Sequence, residues 1–244
     1  MRLPTCLLAT LLATSLTACS AAPAKPVAQA TISPDVARLT GRFWQQDGQL
    51  EFSWSGSTIA FRFDGTAAKI TLASSDRARF YVEVDGKGRT LWVEKGEREY
   101  VLAEGLAKGE HQVLLMRETE AFTIVTAATG PIITDGTLLT PPAASERKLL
   151  VFGDSITAGY GVEGASKDCS YSHDTSTARK AYAMLAADKL NADIHVIAWS
   201  GIGVWRSYGE QAPTNPTMRA RFNRALADNP EAPWQPSQYT PDAI

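Results

Sequence analysis

The 244 residues leave room for two modest domains, and a hydrophobic share of 44% against 20% charged excludes a disordered chain. A formal net charge of −2 gives no electrostatic case for a nucleic-acid partner. Three cysteines are too few for a disulfide scaffold.

The chain opens as a targeting segment. Arg2 is the positive start, and Leu7 to Leu16 is an apolar run too short to span a bilayer. Leu16-Thr-Ala-Cys19 follows and resembles a bacterial lipobox, which implies cleavage before Cys19 and lipidation of its thiol. The alternative is an ordinary secretory signal cut among residues 20–24. Either way the mature protein is exported, with a membrane contact only through a lipid on Cys19. Cys6 leaves with the signal, and Cys169 reads as a half-buried small residue with no chemical role. Residues 20–30, rich in Ala and Pro, read as a tether.

From 31 to 140 the pattern is strands and turns. Phe52 and Trp54 alternate with Ser53; Ile59, Phe61 and Phe63 with Ala60 and Arg62; Val113 and Leu115 with Leu114 and Met116. Ile70 and Leu72, then Phe80, Val82 and Val84, continue the series. Asp64-Gly65, Asp85-Gly-Lys-Gly88 and Lys108-Gly109 supply turn chemistry. This predicts an all-β sandwich, with Trp44, Trp54 and Trp92 in its core. Pro141-Pro-Ala-Ala-Ser145 marks a boundary.

After it the pattern changes. Leu149 to Phe152 are four apolar residues in a row, as in a parallel strand covered on both faces. A polar loop over 163–177 follows, then a helix over 178–190 with Tyr182, Leu185, Ala186 and Leu190 on its apolar face, then a strand from Ile194 to Trp199. That is a βαβ unit, so residues 145–244 are expected to form part of an α/β domain with a parallel sheet. Met218, Phe222, Ala225 and Leu226 suggest a second helix, and Ala243-Ile244 the start of a third strand.

The candidate chemistry lies at strand ends. Gly153 lets the chain turn after the first strand, and Ser155 then sits at its carboxyl end, where open α/β sheets place their sites. A serine there can be a nucleophile if a base reaches it. Asp154 supports the turn. The alternative for Asp154 and Ser155 is a plain helix cap. Gly201, after the second strand, can aim a backbone N–H at a developing oxyanion, or can serve turn geometry alone. Trp205 and Arg206 are candidate sugar contacts; Trp199 reads as core. His111, His173 and His195 read as structural. No cluster has metal-ligand spacing, and no cofactor is implied.

Gly153-Asp-Ser-Ile resembles the first block of the SGNH (GDSL-type) hydrolases, and Gly201 the glycine of the second. With Phe52-Ser-Trp-Ser-Gly56, Arg117-Glu-Thr-Glu-Ala121, Gly153-Asp-Ser-Ile-Thr-Ala-Gly-Tyr-Gly161 and Ile197-Ala-Trp-Ser-Gly-Ile-Gly-Val204, residues from about 40 onward resemble carbohydrate esterase family 2. That resemblance implies a jelly-roll-like sandwich ahead of an SGNH domain. It implies removal of acetyl groups from polysaccharides such as xylan and glucomannan, with Ser155 as nucleophile and the N–H groups of Ser155 and Gly201 as oxyanion donors. The family's Gly-x-Asn-Asp and Asp-x-x-His phrases are missing from these residues, so the hydrolase domain is expected to be incomplete, lacking its base and third donor. The competing reading is a glycan-binding sandwich carrying a remnant hydrolase.

Overall fold

A computed structural model describes residues 28–121 and 124–244. The expected signal, Cys19 and most of the tether lie outside the described residues. The last three tether positions are a strand instead: β1 (Ala28–Ala30) pairs with a strand near residue 132, so alternating Ala and Gln here extend a sheet edge rather than a linker.

The strands of the first part are β2 (Arg38–Thr40), β3 (Trp44–Gln46), β4 (Gln49–Phe52), β5 (Thr58–Gly65), β6 (Ala68–Ser74), β7 (Ala78–Val84), β8 (Lys87–Val93), β9 (Gly96–Ala103), β10 (Gly109–Arg117), β11 (Thr126–Thr134) and β12 (Thr137–Leu139). One antiparallel sheet runs β3-β4-β11-β6-β9 with β1 beside β11, and the other β12-β5-β10-β7-β8 with β2 beside β5. The period-two residues meet between the sheets. Phe52, Phe61, Phe63, Ile70, Leu72, Phe80, Val82, Val113 and Leu115 are buried there, and Phe52 meets Phe80 edge to face at 6.0 Å. Asp85 and Gly86, both at positive φ, form the two-residue turn between β7 and β8. Asp64-Gly65 is not itself a turn: it is the end of β5, and the chain reverses just after it.

None of the three tryptophans assigned to the sandwich core is in it. Trp54 is buried at the junction with the second part, its Nε1–H donating to Arg224 O at 3.1 Å. Trp44 borders a small cluster with Ala225, Leu226 and Trp234. Trp92 lies at the sandwich edge under Arg77, whose guanidinium is 3.6 Å from the ring centroid.

The second part begins with β13 (Arg147–Gly153), followed by α1 (Ser155–Ala158), a 3₁₀ turn at Ala178–Lys180, α2 (Tyr182–Leu190) and β14 (Ala192–Ala198), which pairs parallel to β13. Ala243 adds a single parallel bridge on the other edge of β13, at Leu149, so the expected third strand is present as one pair. α2 buries Ala183, Met184 and Ala187, not the face read from the sequence; Tyr182, Leu185 and Leu190 are about half exposed. The small side chains let the helix lie close over Ile194 and Val196. The second predicted helix is only α3 (Met218–Arg221). Beyond it Ala225 N–H bonds Ala232 O and Trp234 N–H bonds Asn223 O, so the chain folds back and packs Ala225 and Leu226 in a loop instead.

Leu114, Met116 and Tyr81 on the outer face of the second sandwich sheet pack against Met184, Val196 and their neighbours. This explains why β10 carries apolar residues on both faces. The sandwich's outer face is a docking surface for the α/β part. No helix among the described residues is long and apolar enough to cross a membrane.

Candidate active site

β13 and β14 end together. Gly153 pairs with Ala198, and Trp199 N–H donates to Gly153 O at 3.2 Å. The loops leaving this shared edge carry Asp154 and Ser155 on one side and Gly201, Trp205 and Arg206 on the other.

Ser155 is the first residue of α1 and is half-buried. Asp154 is the cap: its Oδ1 accepts Ile156 N–H at 3.0 Å. Turn support and helix capping are thus one geometry, not two alternatives. α1 folds back over the strand end so tightly that a Cβ on Gly153 would sit 1.9 Å from Thr157 Oγ1. Only glycine fits there. Thr157 is buried, and its hydroxyl meets Tyr182 OH at 3.0 Å.

Gly201 occupies the third position of a turn closed by Ile202 N–H to Trp199 O at 3.1 Å, with φ +76°. A type II turn demands that sign of φ, which explains the glycine and fixes the Ser200–Gly201 peptide. Tyr208 N–H donates to Gly201 O at 2.7 Å and closes the wider loop. Trp205 is 70% exposed and Tyr208 94%. The Arg206 guanidinium bonds Gln211 O at 3.3 Å, within its own loop. Trp199 is partly buried beneath Arg221, 3.8 Å from its ring.

Under this edge lies a buried polar layer supplied by Arg117-Glu-Thr-Glu-Ala121. Arg117 is fully buried; its guanidinium donates to Ser53 O, Thr126 Oγ1 and Ile124 O at 2.7 to 2.8 Å, and burial lowers it to about 9. Glu118 receives Arg79 at 3.0 Å, Arg179 at 3.1 Å and the Thr177 hydroxyl at 2.5 Å, tying the sandwich to the second part. Glu120, 2% exposed, accepts the Ser200 hydroxyl; burial raises its carboxyl to about 7 against the lowering effect of Ser200. Neither glutamate was singled out from the sequence. The available signal was a charged run directly after an apolar strand, where solvated charges would gain nothing from their position.

The three histidines are engaged elsewhere. His111 bonds Asp85 Oδ2 and Ala107 O on the sandwich. His195 is buried, stacked on Tyr239 at 3.6 Å, and burial lowers it to about 3. His173 meets Tyr171 OH at 3.0 Å, and burial lowers it below the usual range. Cys169 is exposed, not half-buried: it sits on an open turn with its sulfur near Ser166 N–H.

Residues 39–142 match the family described as carbohydrate esterase 2 N-terminal. A cellulase/esterase CelE from Acetivibrio thermocellus is 35% identical over 207 residues, 81% of this chain. A family two carbohydrate esterase from Clostridium thermocellum, solved in complex with cellohexaose, superposes with a TM-score of 0.77 at 34% identity over 84% of this chain. Over most of its length the chain is similar to family two carbohydrate esterases. An acetylxylan esterase / glucomannan deacetylase from Cellvibrio japonicus is 26% identical over 81% of the chain. The chain spans 25% of CelE, 56% of the Cellvibrio protein and 63% of the cellohexaose-bound structure. Among the described residues there is no group of three or more His, Cys, Asp or Glu able to hold a metal ion.

Proposed function

We propose that this chain carries the nucleophile of a serine esterase that removes acetyl groups from plant cell-wall polysaccharides of the xylan and glucomannan type. The observation that carries the reading is the common strand edge: Ser155 opens α1 at the end of β13, while Gly201 holds its turn at the end of the neighbouring β14. Ser155 Oγ attacks the acetyl carbonyl and gives its proton to a base. The N–H groups of Ser155 and Gly201 receive the oxyanion. The sugar hydroxyl leaves with a proton, and water then releases acetate from the acyl-serine.

The reading assigns the base and a third oxyanion donor to residues outside the 244, because the described histidines engage Asp85, Tyr171 and Tyr239. Support for a polysaccharide substrate comes from the cellohexaose bound by the Clostridium relative and from the exposed rings of Trp205 and Tyr208 on the loop beside Gly201. Export and lipidation at Cys19 complete the proposal and place the enzyme where such polymers are met.

The competing role, glycan binding by the sandwich alone, has less support. Every large apolar side chain that is well exposed among the described residues comes from Ile156 onward, leaving the sandwich without an aromatic platform.

Hydrolysis of 4-nitrophenyl acetate by the chain as given tests the reading. The rate should be small, with Ser155→Ala lowering it and His173→Asn leaving it unchanged. Residual catalysis without a triad base is roughly a thousandfold to ten-thousandfold over water. A rate that depends on His173 would place the base within these residues. A rate indifferent to Ser155 would remove the nucleophile.

A further inference from the structure

We propose that Glu120, contributed by the β-sandwich, is a positioning residue for Gly201: its carboxylate holds the Ser200–Gly201 peptide so that the Gly201 N–H points at the acyl oxygen formed on Ser155. The proposal rests on the esterase reading of Ser155 and assigns the sandwich a part in that chemistry.

The argument starts from the turn. In a type II turn the peptide between the second and third residues bears the N–H of the third, and its tilt follows the dihedrals of the second. Here the second residue is Ser200. Glu120 accepts the Ser200 hydroxyl. That bond ties the side chain of the turn's second residue to the sandwich and so restrains its dihedrals. Gly201 has no side chain to do this for itself, and a Cβ there would meet only Tyr208 Cβ, at 3.6 Å. Within the turn, the exact tilt of the peptide is therefore set by what holds Ser200, not by packing at Gly201.

Glu120 is itself held. It lies three residues beyond Arg117, whose Nη2 donates to Glu120 O at 3.3 Å. Its Oε2 is buried and bonded to no other side chain. Burying a carboxylate with so few partners disfavours its charged form. The groups facing it are Ser200 from the loop after β14 and Tyr171 from the 159–177 loop, while Arg117 at the end of β10 meets its backbone carbonyl. His173 joins through its bond to Tyr171. Tyr171 stays protonated, since burial raises its hydroxyl. Arg117 stays charged over the neutral range and His173 stays neutral there. Glu120 is then the group that changes charge near pH 7. Above that pH its bond from the Ser200 hydroxyl is charge-assisted; below it the bond weakens.

Nitrogen-15 NMR of the chain from pH 5 to 9 reads this directly, because the Ser200 and Gly201 amides report the peptide's geometry without requiring turnover. Both amides should titrate together with a midpoint near 7. In Glu120→Gln the titration should vanish, with the Gly201 amide displaced. In Ser200→Ala, which loses the hydroxyl bond to Glu120, the Gly201 amide should be displaced as in Glu120→Gln. In His173→Asn the midpoint should persist. A Gly201 amide that ignores pH and stays in place in Glu120→Gln and Ser200→Ala overturns the proposal, as does a midpoint lost with His173. The Ser155-dependent rate on 4-nitrophenyl acetate gives the kinetic arm. Glu120→Gln should lower kcat about tenfold to a hundredfold, part of what losing an oxyanion donor costs, with KM within about twofold. A loss confined to KM contradicts positioning. Failure of the esterase reading shows separately, as turnover that survives Ser155→Ala while the amides still titrate.

Discussion

At the scale of single residues, the most consequential side chain is one that touches no substrate. Arg117 is a full charge buried without a carboxylate against it, spent on main-chain and hydroxyl acceptors from two segments: Ser53 on one, Ile124 and Thr126 on the other. Arg117→Met removes the charge but orphans those acceptors, and each buried orphan costs about 1–3 kcal/mol. The variant should lose about 3–5 kcal/mol in urea unfolding. Arg117→Lys should recover little of it, because one ammonium cannot reach acceptors set around a planar fork.

Glu120 makes a second residue-scale prediction. Its folded value, about 7, lies above the unfolded 4.5, so the native state binds more protons between those limits. Its contribution to stability is complete below about pH 4.5 and is lost as pH rises through 7. The fall should amount to at most about 3 kcal/mol. Glu120→Gln should flatten that part of the stability curve. A wild-type curve that rises from pH 5 to 8, with no change in slope in the variant, would contradict the assignment.

Among the elements, strands were readable and helices less so. Period-two alternation marks β5, β6, β7 and β10 because each sends one set of side chains into a single dry layer between sheets. The same alternation could not say that the other set on β10, Leu114 and Met116, meets a second domain, because burial by a distant segment leaves no local period. In α2 the bulky residues were taken as the inner face, but close approach to the sheet favours alanine, so Ala183, Met184 and Ala187 turn inward. Surface and core positions on this helix should therefore behave against their hydrophobicity. Leu185→Gln should change stability by less than about 0.5 kcal/mol, and Met184→Ala should cost about 2–5 kcal/mol. Equal costs in thermal or chemical unfolding would restore the original face. α3 stops after one turn because the packing of Ala225 and Leu226 beneath Trp44 and Trp234 outweighs a weak helical period.

For the whole molecule, the strand-end motifs were legible because they are local: a glycine under α1, a serine at its start and a glycine in a type II turn each follow from a few neighbouring residues. The tie between the two parts was not, since Glu118 and Glu120 find Arg179, Thr177 and Ser200 some 60 to 80 residues away. Sandwich and α/β part are joined by buried charge and by the apolar contact of Met116 with Met184, so the α/β part that carries Ser155 is held on the sandwich. The central claim is that Ser155 is the nucleophile of an acetyl esterase. It is tested most directly by acetate release from acetylated xylan, using this chain joined to the remaining carboxyl-terminal esterase sequence of its CelE relative, with and without Ser155→Ala. The joined chain should release acetate, and Ser155→Ala should reduce the rate by a factor on the order of a thousand or more. Full activity without Ser155 would contradict the account.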